Sequence, residues 1–221
     1  SVRETVDGSV TSTSYAKPDG AITDAIDMGY ATVCRMRDDN GRVVEERYLD
    51  ASGDPVARYG DYYGLSYEYD ETSTVITYLD AKGNPMKRSA GYTTIIRSDG
   101  YSTIVRTQVG GRASDDFYYD LNGQQVQCSG GYYGIHCEYN AEGQSTSLTF
   151  LDEDGHAVCI SSGYAIKTYQ RDENGTVVGE QYFDTEGNPA RSSLGQYGEL
   201  YQRNEQGYIG QITYLGADGK T

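Results

Sequence analysis

Apolar and aromatic residues fall in short extended runs along this chain, not at helical spacing. The run Tyr164-Ala-Ile-Lys-Thr-Tyr-Gln-Arg171 is rich in Tyr, Thr and β-branched residues, which favour a pleated backbone. Asp172-Glu-Asn-Gly175 follows, with Asp opening and Gly closing a type I turn, and a second run covers Thr176 to Phe183 before another D-x-x-G stretch, Asp184 to Gly187. Two extended runs joined by a short turn predict one β-hairpin. In the second runs Ile76, Leu148 and Ile212 stand two residues before Tyr78, Phe150 and Tyr214, on one face of the strand. Leu49, Leu79, Leu151, Phe183 and Leu215 point to the other face, so both faces are expected to be at least partly covered.

The hairpin recurs. The motifs Tyr48-Leu49-Asp50, Tyr78-Leu79-Asp80, Tyr118-Tyr119-Asp120, Phe150-Leu151-Asp152, Tyr182-Phe183-Asp184 and Tyr214-Leu215-Gly216 are spaced by 30, 40, 32, 32 and 32 residues. Each is followed three residues later by Gly, and in three copies Pro55, Pro85 or Pro189 comes two residues after that. A second marker keeps the step: Tyr30, Tyr62, Tyr132, Tyr164 and Gln196 each precede an Asp or Asn by eight residues. The chain divides into a partial repeat 1–29, repeats 30–61, 62–91, 92–131, 132–163 and 164–195, and a partial repeat 196–221. An insertion between Ser98 and Asp115 breaks the period, and its stretch from Arg97 to Asp116 carries Arg97, Arg106 and Arg112. Insertions of this kind emerge on one face and are often where repeat proteins place specificity; a tolerated surface loop is the plainer reading. One hairpin is marginal in water, so the units must stack. The expected fold is all-β, tandem β-hairpin repeats forming a solenoid or spiral ribbon.

Composition says what the stack is made of. Tyr occurs 23 times and Gly 28 times, against Phe 3, Pro 4 and Trp 0. With aliphatic residues this sparse, tyrosines must supply the buried surface as a cross-strand ladder. The pairs Tyr62-Tyr63 and Tyr132-Tyr133, together with Tyr197, are the candidate ligand-binding residues, since an exposed phenol ring stacks on sugars or on aromatic partners. Ladder and binding surface can coexist on opposite faces.

The net charge of -15 disfavours nucleic acid and anionic membrane surfaces, both of which call for a cationic patch. No apolar run is long enough to span a bilayer as a helix. The chain opens and closes part-way through a unit, which reads as a segment of a longer protein with adjacent repeats or domains.

Candidate chemistry is thin. The turns Asp38-Asp-Asn-Gly41, Asp152-Glu-Asp-Gly155 and Asp172-Glu-Asn-Gly175 offer oxygen ligands for calcium, but Asp and Asn open turns for local reasons alone, and no metal or cofactor is expected. Cys34, Cys128, Cys137 and Cys159 read as buried thiols, with a Cys128–Cys159 bridge as the sharper alternative. His136 and His156 are the only imidazoles and neither sits in a nucleophile motif, so catalysis is not expected.

The units Gly163-Tyr164-Ala165 … Arg171-Asp-Glu-Asn-Gly175 and Tyr182-Phe-Asp-Thr-Glu-Gly-Asn-Pro189 resemble bacterial YD/RHS-like repeats. They look still more like the 32-residue tyrosine-rich arrays of bacterial surface and envelope proteins and, more loosely, cell-wall-binding repeats. The resemblance runs from about Tyr15 to the end. It implies β-hairpin repeats and an extracellular or bacterial cell-surface setting. With no catalytic motif and a Tyr-rich surface, the expectation is a non-catalytic module that binds a cell-wall glycan or a surface protein, or a structural spacer or stalk.

Overall fold

The computed structural model describes residues 1–24, 28–88 and 101–221. These contain fourteen β-strands and no helix, and therefore no helix able to cross a membrane. Two compact units are formed, residues 1–106 with 118–126, and residues 107–117 with 127–221.

The first unit holds β1 (Val2–Asp7), β2 (Val10–Tyr15), β3 (Thr32–Arg37), β4 (Val43–Leu49), β5 (Gly64–Tyr69) and β6 (Ser73–Leu79). The boundary between units passes through β7 (Thr103–Val109) and β8 (Arg112–Tyr119). The second unit continues with β9 (Gly134–Tyr139), β10 (Ser145–Leu151), β11 (Ile166–Arg171), β12 (Val177–Phe183), β13 (Gly198–Arg203) and β14 (Ile209–Leu215). Within each unit strands pair antiparallel with their neighbours in the chain. The partial repeat 1–29 itself contains the hairpin β1–β2, closed at Gly8.

The turn chemistry follows the sequence closely. In Asp172 to Thr176 the Gly175 N–H donates to the Asp172 carbonyl, and the Asp172 N–H donates to Thr176. Asp172 Oδ1 meanwhile accepts from Asn174 N and Thr176 N at 3.0 and 2.9 Å. Gly175 sits at φ 79°, where a residue with a Cβ is strained, and the register slips between Gln170 and Arg171 to absorb the extra residue as a bulge. The same Oδ1 contacts recur at Asp38, Asp50, Asp80, Asp120, Asp152 and Asp184.

Successive hairpins are joined by few rungs. β12 and β13 share three, Gly179↔Leu200, Glu180↔Glu199 and Gln181↔Gly198. One more residue completes each junction in the first unit and is pinned from both sides. Tyr63 N–H donates to Leu79 at 2.9 Å, and its carbonyl accepts from Tyr48 at 3.1 Å. Tyr197 does the same between Leu215 and Tyr182. After each second D-x-x-G turn the chain doubles back over the strand it has left. A single bridge marks this return at Leu49↔Pro55, Leu79↔Pro85 and Phe183↔Pro189.

Candidate functional site

The strand pattern places alternate residues on opposite faces, and it separates the paired tyrosines. On the inner face of the first unit seven rings form an unbroken ladder, Tyr15, Tyr30, Tyr48, Tyr62, Tyr78, Tyr101 and Tyr118. Consecutive centroids lie between 4.9 and 6.1 Å apart. The second unit has its own ladder of Tyr132, Phe150, Tyr164 and Tyr182, with centroids 4.4 to 6.0 Å apart. Tyr62 and Tyr132 are thus ladder members, 8% and 2% exposed. Tyr63, Tyr133 and Tyr197 follow the ladder position by one residue, face the other way and are half-buried.

Arg58 and Arg88, each ten residues after a ladder tyrosine, lie along the ladder of the first unit. The Arg88 guanidinium sits 4.7 to 5.7 Å from the rings of Tyr62, Tyr78 and Tyr101 and holds Asp61 at 2.6 Å. Cation–π contact and the ion pair offset the cost of placing this charge against the core. Sequence reading passed these arginines over; their common offset from Tyr48 and Tyr78 was the available signal.

Outside the ladder a cleft repeats. Its walls are the bridge proline, the residue after the ladder tyrosine and the next D-x-x-G turn. In the first unit Pro55, Tyr63 and Lys82 enclose about 220 Å³, and Pro85, Ser102 and Leu121 about 520 Å³. In the second unit Pro189, Tyr197 and Asp218 enclose about 190 Å³. The wide cleft is the one in which Ser102 stands where the others carry Tyr.

A different cleft, of about 450 Å³, opens in the second unit beside Arg112, Ser114, His136 and Glu138. At its edge Asp115 Oδ1 lies 2.8 Å from His136 Nδ1, while its Oδ2 accepts from Thr107 Oγ1 at 2.7 Å and Ser114 Oγ at 2.5 Å. Burial alone would raise the Asp115 pKa. The hydrogen bonds from Ser114, Thr107 and His136 outweigh it and hold the carboxyl below its ordinary range. An ionised Asp115 fixes the imidazole with Nδ1–H toward the carboxylate, leaving Nε2 as the ring's second hydrogen-bonding atom. Ser114 donates to Asp115 and is not held by the imidazole, so the cluster orients groups without assembling an activated nucleophile. Of the three arginines in the period-breaking stretch, Arg97 lies outside the described residues. Arg112 is exposed, with Nη1 3.4 Å from the Asn140 carbonyl.

The acidic turns each spend one carboxylate oxygen, Oδ1, on their own backbone. Backbone N–H groups of Asn84, Gln124 and Asn188 are the largest cause holding the carboxyls of Asp80, Asp120 and Asp184 below their usual range. No cluster of three or more His, Cys, Asp or Glu side chains fit to hold a metal ion occurs among the described residues. No disulfide forms among them either; Cys128 alone is a buried thiol as expected, Cys34 and Cys137 are half-buried and Cys159 is exposed.

No family model matches the chain, and no curated protein matches it.

Proposed function

We propose that this chain is a non-catalytic binding module of a bacterial surface protein, engaging a polymer through an outer row of tyrosines. The supporting observation is the recurrence of one cleft, with Tyr63 and Tyr197 in the same register against Pro55 and Pro189. A polymer with a regular repeat gains affinity by stacking on equivalent rings along the array, because each further contact is made intramolecularly. Clefts of about 190 and 220 Å³ fall below the size of enclosed small-molecule pockets, roughly 300–1,000 Å³, and suit stacking against a passing chain better than engulfing one. A cell-wall glycan fits that description, with a surface protein as the other partner class.

The resemblance to YD/RHS-like surface repeats supports an extracellular setting. In this reading the hairpins wind as a solenoid or spiral ribbon, so that the ladder stays inside and the second tyrosine of each pair stays out. Retention on purified peptidoglycan and on a glycan array tests the proposal. Tyr63→Ala with Tyr197→Ala should release the protein while leaving its sheet spectrum unchanged. If the wild-type chain is retained by no glycan and no surface protein, the module is a spacer and the proposal fails.

A further inference from the structure

One member of the cleft series carries shorter side chains than the others at two places in its wall. The positions of Tyr63 and Tyr197 are occupied by Ser102 in the cleft beneath Pro85, and the volume rises from about 190–220 Å³ to about 520 Å³. That places it within the range of roughly 300–1,000 Å³ typical of small-molecule sites. The backbone frame is the same in all three. Ser102 N–H donates to Tyr119 at 2.8 Å and its carbonyl accepts from Tyr78 at 2.9 Å, as at Tyr63 and Tyr197. The opening therefore goes with two shorter side chains, Ser102 in place of Tyr63 and Tyr197 and Thr77 in place of Arg47 and Gln181, and not with a rearranged chain.

The walls select a chemistry. Pro85, Tyr119 and Leu121 provide apolar surface, Thr77 and Thr103 bring paired hydroxyls 3.3 Å apart, and none of the lining residues is basic. Asp120 Oδ1 is taken by Asn122 N and Gln124 N at 2.8 and 2.9 Å, whereas Oδ2 has one long contact, 3.4 Å to the Asn122 amide. A carboxylate oxygen with spare acceptor capacity beside apolar walls suits a group with one apolar face and hydroxyls at its rim. An anion would meet the Asp120 carboxylate inside the cleft, whereas the cation that acts on Asp120, Lys87, is not part of its lining.

We propose that the cleft between Pro85, Ser102 and the Asp120–Gly123 turn binds a single neutral hexopyranose ring. Tyr63 and Tyr197 narrow its counterparts into stacking surfaces. This rests on the glycan reading above and adds the one cleft of the series wide enough to seat a whole ring.

Saturation-transfer NMR with methyl glucoside, methyl mannoside and methyl galactoside tests it. At least one should receive saturation from the wild-type chain. Ser102→Tyr should weaken that binding at least about tenfold. Leu121, 56% exposed at the rim, provides a variant that leaves the packed floor alone. Leu121→Trp should block the mouth to the same extent should Ser102→Tyr fail to fold. The absence of transfer from all three sugars overturns the inference, as does transfer unchanged in Ser102→Tyr or, where that variant does not fold, in Leu121→Trp. Peptidoglycan retention that persists in either case leaves the broader function standing.

Discussion

Asp115 and His136 stand directly opposite each other on β8 and β9, and the carboxylate Oδ1 lies 2.8 Å from the imidazole Nδ1. The same cross-strand position between hairpins is filled by Ser12 and Cys34 at the β2–β3 junction, Glu45 and Ser66 at β4–β5, and Ser147 and Thr168 at β10–β11. Among these pairs, Asp115 with His136 is the one in which a carboxylate faces an imidazole.

Asp115→Ala removes the shared acceptor of Thr107, Ser114 and His136. Because the pair is about one-third exposed, the expected loss is modest, about 1–2 kcal/mol at neutral pH. The pH dependence has a definite sign. The folded-state pKa of Asp115 is depressed, so its stabilisation is present above the unfolded value of about 4 and is lost as pH falls through the folded value. Urea midpoints of the wild type and the variant should therefore converge on acidification, and a gap that widens toward low pH would contradict the assignment.

The ladder makes a sharper claim, because equivalent rings differ in burial. Tyr118 is 0% exposed, while Tyr214, at the same place in its repeat, is 60% exposed. Tyr118→Ala should cost about 3–5 kcal/mol, the range for deleting a buried aromatic ring, and Tyr214→Ala less than about 1 kcal/mol. Denaturant unfolding of the two variants measures the contrast. Equal losses would mean that the rings stabilise strands locally and not through the ladder.

The repeat, the D-x-x-G turns and the use of tyrosine as core were all legible in the sequence, because each follows from local chemistry or from period. Turn-opening aspartates hydrogen-bond their own backbone wherever they occur, and a strand alternates faces whatever surrounds it. At Tyr62-Tyr63 and Tyr132-Tyr133 the first ring is buried in the ladder and the second is half-buried. Sequence alone left open which ring of each pair turns inward, since Tyr62 and Tyr63 are chemically identical neighbours. The choice is made by a long-range contact, the backbone of Tyr63 spanning Tyr48 and Leu79. The wide cleft was hidden for a related reason: Ser102 counts as a tyrosine position only once Tyr101 is seen in the ladder, and the insertion obscures that alignment.

Close approach between hairpins makes Gly134 a test of the junction. A Cβ placed there would lie 2.8 Å from the Asp116 carbonyl oxygen and 2.7 Å from the Phe117 ring, on the strand it pairs with. Backbone on one side and a packed ring on the other leave little room to yield, so Gly134→Ala should destabilise by about 1–3 kcal/mol. Gly210→Ala is the control, with its nearest neighbour at 3.8 Å and an expected change within about 0.5 kcal/mol. Thermal melts that rank these two variants the other way round would place the β8–β9 contact wrongly.

The tyrosine core also sets an alkaline limit. Burial is the largest cause raising the phenols of Tyr48, Tyr78 and Tyr182 above the ordinary 10.0, with Glu46 or Glu180 adding to it at Tyr48 and Tyr182. Burial followed by the charge of Glu180 pushes Tyr164 and Tyr169 up to about 12. A phenol whose folded value is raised stabilises the fold fully below its unfolded value and progressively less as pH climbs to the folded one. Stability should hold up to about pH 10 and fall steeply between there and about 12, as the sheet must open for the buried rings to ionise. Tyrosinate absorbance and the far-ultraviolet sheet signal, followed together, check this: the later part of the phenol titration should coincide with loss of the sheet. Complete ionisation in one step near 10 with the sheet intact would mean that the rings are reached by water and that no ladder encloses them.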